Sequence, residues 1–300
     1  MPDLPIRRLG KTEMRPRALA LGAAWLARQP EDEVVRAVRR AIELGIDYID
    51  TYPGHNEAYW GEALSGTPRD AFYLQAKIGT HPERPKDFSA ETARWSVTNS
   101  LRDLRVDYLD SVLSHDPADM ADVLGPGRAF EEALAMRDEG LIRHVGLGVR
   151  EHEFHRQIIE TGEAGVVLTY LDYTLLSQSV ASTTFPLAVE RDVGLILASP
   201  LGMGLLTGVE PDADTDRRRH GGQGSRAHDM WRWCRERDTN IRRLAMQFCL
   251  AAPAGGIVMF GPADTTQVEE GFDAATADIP ADIWREFHAE FGVGLGAAAG

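Results

Sequence analysis

Eight short apolar runs, separated by stretches of helical periodicity, constrain this chain of 300 residues more than any other feature. They cover residues 18–22, 46–50, 72–78, 108–113, 142–149, 166–170, 195–198 and 256–260. Runs this short, with little polar alternation, suit strands buried on both faces. Between them, Val34, Val35, Val38, Ala41 and Ile42 form one helical stripe, and Trp95, Val97, Leu101 and Leu104 form another. Acidic residues open each stripe, as suits a helix N-terminus, and Ser89 reads as the N-cap of the second. Further helices are expected from near Glu57 and over 127–140, 151–161, 180–191, 238–252 and 264–275. Strict alternation of strand and helix implies parallel strands joined by right-handed crossovers, and eight such units predict a closed (β/α)8 TIM barrel of the α/β class. An open doubly wound sheet would carry a glycine fingerprint after its first strand, where this chain has Gly22-Ala23-Ala24-Trp25.

Charge and composition narrow the partners. Forty-six acidic against 32 basic side chains give a net charge of −14, which disfavours nucleic acid and anionic membrane surfaces. No stretch approaches the roughly 20 apolar residues of a membrane span, and Met1-Pro2-Asp3-Leu4 does not open like a signal peptide, so a cytoplasmic protein acting on a small molecule is expected. Cys234 and Cys249 fit neither a disulfide framework nor a four-ligand zinc site and read as buried thiols. One barrel domain is expected over 1–291, followed by a glycine- and alanine-rich tail at 292–300 that frays. The stretch 208–227, rich in Asp, Arg and Gly, is too long for an ordinary connection and reads as a functional or disordered loop.

In such barrels the chemistry sits where the strands end. Asp50 closes the second run, Lys77 interrupts the third, and His115 and Asp116 follow the fourth. His55 stands five residues after Asp50, in the next loop. Taken singly, Asp50 could cap a helix and His55 could be a solvated surface residue. A lysine among apolar strand neighbours is different, because a buried lysine needs a partner. Asp50 would keep Lys77 charged, that cation would tune an adjacent acid or base, and His115 could orient a carbonyl or alcohol oxygen.

These residues resemble those of the aldo-keto reductases, and within them the branch of NAD-linked dehydrogenases acting on L-galactose or L-fucose. The matching stretches include Gly45-Ile46-Asp47-Tyr48-Ile49-Asp50-Thr51, Gly61-Glu62-Ala63-Leu64, Ala76-Lys77, Asp107-Tyr108-Leu109-Asp110, Gly140-Leu141-Ile142-Arg143-His144-Val145-Gly146, Val167-Leu168-Thr169-Tyr170 and Ala198-Ser199-Pro200-Leu201-Gly202-Met203-Gly204-Leu205-Leu206-Thr207-Gly208. The resemblance implies a (β/α)8 barrel that moves a hydride between a nicotinamide cofactor and a carbonyl or alcohol, with a catalytic Asp, Tyr, Lys and His. Asp50, Lys77 and His115 take three of those places. His55 takes that of the tyrosine, in a loop several residues shorter than the family's. Histidine titrates near 6.5 and is a neutral base at pH 7 unaided, so His55 is expected to take the proton as hydride leaves an alcohol or lactol. Tyr52 and Tyr59 are possible stand-ins, although packing of the following helix is the favoured reading of Tyr59 with Trp60.

The resemblance also assigns the cofactor. Ser199, Leu201, Gly202 and Gly204 match the loop along the pyrophosphate, where glycines allow close backbone approach. Gly261, Asp264, Gln267 and Glu270 match the segment gripping the adenosine end. NADP-preferring members carry an arginine where this chain has Ala263, followed by acidic Asp264, so NAD is expected over NADP. The Ser-Asn pair that usually holds the carboxamide reads Gly148-Val149. Tyr173 could stack on the nicotinamide or be a half-buried strand-end aromatic. The run Arg217-Arg218-Arg219-His220 could close over the phosphates or be solvated. Competing readings keep the barrel without redox turnover, as a lyase, isomerase, dehydratase or cofactor-binding regulatory subunit. A metal hydrolase built on Asp50, His55, His115 and Asp116 ranks behind these, because no His-x-His occurs.

Overall fold

The structure is a computed structural model that describes residues 3–211 and 222–295. Each apolar run forms a parallel strand: β1 (Leu19–Gly22), β2 (Tyr48–Asp50), β3 (Tyr73–Ile78), β4 (Leu109–His115), β5 (Ile142–Gly148), β6 (Val166–Tyr170), β7 (Gly194–Ala198) and β8 (Ile257–Phe260). They pair in chain order, and β8 pairs back onto β1 through Leu19↔Val258 and Leu21↔Phe260, which closes the expected barrel. Closure leaves no sheet edge unpaired.

Strand alternation sorts side chains between two cores. Ala20, Tyr48, Leu113, Leu168, Ile196 and Met259 fill the barrel interior, while Leu19, Ile49, Leu74, Val112 and Leu197 pack outward against the helices. Ahead of β1 the chain doubles back, bridging Ile6 to Arg17, and inserts Leu9 and Met14 into the interior cluster. Gly10 makes this possible. It sits at φ +56 and bridges Val193, and a Cβ there would fall 2.2 Å from the backbone nitrogen of Gly194.

The helical layer comprises α1 (Glu31–Glu43), α2 (Glu57–Leu64), α3 (Ala90–Leu104), α4 (Ala121–Leu124), α5 (Ala129–Asp138), α6 (His152–Glu160), α7 (Thr184–Glu190), α8 (Gly224–Glu236), α9 (Ile241–Leu250), α10 (Thr265–Thr276) and α11 (Ala281–Phe291). Helix α1 opens with Glu31, Asp32 and Glu33 and buries Val34, Ala37, Val38 and Ala41. Ser89 caps α3, its Oγ accepting from the Thr92 amide at 3.3 Å. The expected helix at 180–191 is split, with a 3-10 turn at Ser179–Ser182 preceding α7.

Three helices, α4, α8 and α11, were not expected from the sequence. The stripe Ala227, Met230, Trp233 and Cys234 has helical spacing, but it begins inside the stretch read as a loop. It is buried because Trp233 packs edge-on to Phe287 of α11, with ring centroids 5.3 Å apart. Gly292 at φ +67 ends α11. The residues Arg217, Arg218, Arg219 and His220 lie outside the described residues. Cys234 and Cys249 are both buried free thiols. Among the described residues no helix is long and apolar enough to cross a membrane.

Candidate active site

The barrel interior turns polar toward the strand ends. Asp50, the last residue of β2, lies in register with Gln75 of β3. Lys77 Nζ donates to both Asp50 carboxylate oxygens and to the Thr51 carbonyl at 3.2 Å. Gln75 Nε2 donates to Asp50 Oδ1 at 2.7 Å, and its Oε1 accepts from Tyr48 Oη at 2.8 Å and Ser111 Oγ at 3.1 Å. Two hydroxyls thus fix the amide, and the amide with the ammonium fixes the carboxylate. Asp50 is 2% and Lys77 1% exposed. Burial draws Lys77 below the ordinary lysine range, and Asp50 opposes that shift.

Glu57, the first residue of α2, lies behind this pair. Its carboxyl accepts from Thr51 Oγ1 at 2.7 Å and Ser100 Oγ at 2.8 Å, and burial pushes it up to about 7. Thr51 therefore joins Lys77 through its carbonyl to Glu57 through its hydroxyl.

His115 ends β4 and is 9% exposed. Its Nδ1 lies 3.3 Å from Asp116 Oδ2, a contact that by itself favours the imidazolium. Burial, with the nearby Lys77 and Lys86 cations, outweighs it and holds His115 well below the usual histidine range. The imidazole is neutral at pH 7, with one nitrogen donating and the other accepting. Tyr52 completes the group. Lys77 Nζ lies 3.8 Å from its ring centroid, and His115 meets it edge-on at 5.6 Å. Burial raises the Tyr52 phenol above the tyrosine range, so it is protonated. Among the described residues its hydroxyl has no hydrogen-bond partner.

Of these groups, His55 meets only the Tyr52 ring, edge-on with centroids 6.3 Å apart, and does not join Asp50, Lys77 and His115. It is exposed, its Nε2 lies 3.3 Å from the Thr80 carbonyl, and it does not line the cavity that Asp50, Tyr52, Lys77 and His115 share. The turn explains this departure from expectation. Gly54 at φ +75 abuts His81 and Pro82 so closely that a Cβ would fall 2.6 Å from them, and Asn56 at φ +60 donates to the Ala27 carbonyl at 2.9 Å. The chain between them is thereby turned outward, leaving the cavity to the phenol of Tyr52. Tyr59 is half-buried against the helical core.

This cavity, of about 730 Å³, runs from these residues past the loop after β7 to the connection between β8 and α10. Ser199, Met203 and Gly204 have positive φ, and a Cβ on Gly204 would meet nothing within 4 Å, so its backbone is open to a ligand. Ser199, Leu201, Gly204, Gly261, Gln267 and Glu270 line the cavity. Gly202 is buried behind the lining and shapes the turn at φ +59. Asp264 does not line it, because its carboxylate caps α10 by accepting from the Gln267 amide at 2.8 Å.

Of the two readings of Tyr173, the structure agrees with the packed aromatic. It is 8% exposed and stacks on Phe248 at 5.0 Å and 12°, inside the helical core. Leu171 at φ +64 ends the strand alternation, so the aromatic facing the cavity is Tyr170, whose hydroxyl donates to Asp116 Oδ1 at 3.2 Å. Gly148 is small for a local reason, since a Cβ there would press to 3.2 Å on the His115 ring.

Several cavity residues, Trp25, Arg28 and Arg242 among them, were missed in the sequence. Arg242, in the first turn of α9, lines the cavity, donates from Nε to the Thr207 carbonyl at 2.8 Å and pairs through Nη1 with Glu270 Oε2 at 2.7 Å. The cavity thus joins proton-handling groups at one end, an open backbone stretch, and a polar end of Gln267, Glu270 and Arg242. That sequence of surfaces fits an extended dinucleotide.

A closed parallel barrel with this cavity and this Asp, Lys, Tyr and His grouping has the make-up of a nicotinamide-dependent oxidoreductase. The aldo/keto reductase family profile matches residues 18–289, and the chain belongs to that family. It is 29% identical over 292 residues to the L-galactose dehydrogenase of Arabidopsis thaliana, covering 92% of this chain and 89% of that protein. It is 27% identical over 290 residues to the D-threo-aldose 1-dehydrogenase of a Pseudomonas species, covering 85% and 87%. Among solved structures, the holo form of an aldo-keto reductase from Bacillus halodurans superposes with a TM-score of 0.79 at 24% identity, covering 99% of both chains.

Proposed function

We propose that this chain interconverts an aldose, or a related small aldehyde or alcohol, with its redox partner, using NAD, within one catalytic barrel spanning residues 1–291. The observation that carries the reading is the convergence of Tyr52, Lys77, Asp50 and His115 at one end of the elongated cavity. Bound NAD supplies or takes up the hydride. Tyr52, protonated at neutral pH, gives its proton to the carbonyl oxygen in reduction and recovers it in oxidation. Lys77 over the ring steadies the phenolate formed in between, and Asp50 holds Lys77 in that place. Neutral His115 hydrogen-bonds the same oxygen and fixes its approach. Asp116 and Tyr170 line the wall beside it and suit the hydroxyls of a sugar better than an anionic substituent.

The names of the relatives support an aldose substrate. The preference for NAD rests on Ala263, where a phosphate-binding cation would stand, and on the acidic Asp264 that follows it. An NADH-specific methylglyoxal reductase of Escherichia coli, 26% identical over 246 residues, is consistent with it.

The test is Tyr52→Phe, followed by reduced-nicotinamide absorbance against a panel of aldoses and aldehydes. Loss of a positioned acid–base group lowers kcat by about 10²–10⁴-fold, or about 3–5 kcal/mol of barrier. His55→Ala should stay within about threefold of the parent, as no proton transfer is removed. A Tyr52→Phe enzyme retaining more than about a tenth of kcat would refute the assignment.

A further inference from the structure

We propose that Asp116, braced by Tyr170, selects the substrate by requiring a hydroxyl on the carbon next to the reacting one. The inference rests on the reading above and narrows its substrate class to molecules whose reacting carbon has a hydroxylated neighbour.

Strand alternation alone would point Asp116 away from the cavity. Leu113 belongs to the interior cluster and His115 lines the cavity, so the residue after them should face the helices. Asp116 instead turns back at φ +49, and its side chain lines the same cavity as Tyr52 and Lys77. Aspartate tolerates this left-handed backbone better than most residues, yet the conformation costs free energy and persists only where neighbours impose it. Three neighbours do so here. The Asp116 amide donates to the Gly148 carbonyl at 2.9 Å, its carbonyl accepts from Lys86 Nζ at 2.8 Å, and its Oδ1 accepts from Tyr170 Oη at 3.2 Å. These partners come from β5, from the connection between β3 and α3, and from β6, so the carboxylate is fixed from three directions.

An ionised carboxylate offers about four lone-pair sites, and the fold fills few of them. Tyr170 takes one, Oδ2 lies 3.3 Å from His115 Nδ1, and the Lys86 ammonium is engaged on the backbone carbonyl. Among the described residues no lysine or arginine forms an ion pair with the Asp116 carboxylate, whose side chain is 31% exposed. Its charge acts on both Tyr52 and Lys77, which places it beside the reacting centre. A substrate oxygen held between Tyr52 and His115 brings the substituent on the neighbouring carbon toward this acceptor. A carboxylate or phosphate there meets a like charge, and an ammonium adds to the Lys77 and Lys86 cations, whereas a hydroxyl donates its proton without changing the charge of the site. A bare methylene leaves the half-buried carboxylate desolvated and unpaired, and a site of this kind rejects the analogue that lacks the hydroxyl.

The test is kcat/KM, followed by nicotinamide absorbance, for two pairs of compounds that differ only in that hydroxyl: lactaldehyde against propanal, and L-galactose against 2-deoxy-L-galactose. The parent should favour the hydroxylated member by about tenfold or more. Asp116→Ala should bring that ratio to within about threefold of unity, and Asp116→Asn, which keeps the shape but offers a neutral acceptor, should lower it by about threefold or more. Tyr170→Phe removes the brace and should move the ratio in the same direction. A parent ratio near one overturns the proposal, as does an equal fall for both members of a pair in Asp116→Ala, which would mean that Asp116 only supports His115. If Asp116→Ala does not fold, Asp116→Asn decides, and a ratio equal to the parent's overturns the proposal. A parent that turns over none of the four compounds with either NAD(H) or NADP(H) overturns the redox reading instead.

Discussion

Asp50→Asn changes the shape of the site little and removes the charge opposite Lys77. At 1% exposure the ammonium cannot regain its hydration, and Thr51 offers only a carbonyl dipole. Removing one partner of a buried pair costs about 3–5 kcal/mol, a large part of the roughly 5–15 kcal/mol that separates folded from unfolded protein. At about 2.1 cal/mol/K of unfolding entropy per residue, the thermal midpoint should fall by about 5–8 °C. The sign of the pH dependence follows from Lys77. Burial already lowers its folded-state pKa, and loss of Asp50 lowers it further. The excess instability is therefore full below that folded value, and it fades as pH rises toward about 10.4, where the lysine of the unfolded chain also loses its proton. Glu57 and Asp116 are the other carboxylates acting on Lys77, and Glu57, pushed to about 7, ionises over the same range and works in the same direction. Thermal unfolding followed by circular dichroism near pH 6 and pH 9.5 reads the effect. The deficit should shrink at the higher pH, and Asp50→Asn with Lys77→Met should recover at least half of it. A deficit below about 1 kcal/mol near pH 6, or one that ignores pH, would refute the claim that Asp50 is what keeps a buried cation in this barrel.

Glu57→Gln tests the carboxyl behind the pair. A carboxyl raised to about 7 favours the fold fully below the unfolded pKa near 4.3, and that advantage is lost as pH rises through 7. The stability of Glu57→Gln relative to the parent, measured by urea unfolding, should thus grow by up to roughly 3 kcal/mol between pH 4.5 and pH 8, whereas a flat difference would mean Glu57 is ionised throughout. Phe287→Ala should cost about 3–5 kcal/mol of stability, since the ring is wholly buried against Trp233. Its KM for dinucleotide should match the parent's, and a change in KM without loss of stability would contradict the packing role of α11.

The barrel was readable because parallel strands covered on both faces leave continuous apolar runs, and a lysine inside one of them stands out. Asp50 and Lys77 could be paired from sequence since both sit at strand ends, where alternation fixes direction. The direction of His55 was not legible because counting residues from Asp50 carries no information on backbone handedness, and Gly54 and Asn56 at positive φ turn that segment outward. Choosing between the two readings of Tyr173 needed the same information, because Leu171 at positive φ ends the strand alternation. Asp264 did carry a legible signal. An Asp followed three residues later by Gln is a capping-box pattern, and the structure uses it as a cap. Arg242 left no such trace, because its meaning comes only from Thr207 and Glu270, which are neighbours in space.

The two flanks of the 212–221 segment are held close to one another. Trp231 of α8 donates from Nε1 to the Gly208 carbonyl at 3.1 Å, and Arg242 anchors Thr207 just before it. A connection whose ends are already joined by the surrounding fold responds weakly to its own length, with each doubling costing only about 0.6 kcal/mol. Insertions or deletions between Gly208 and α8 are accordingly almost free for the barrel. Thr207 and Val209, at the start of this connection, line the cavity, so the fold tolerates changes in length immediately after two residues that a ligand would meet.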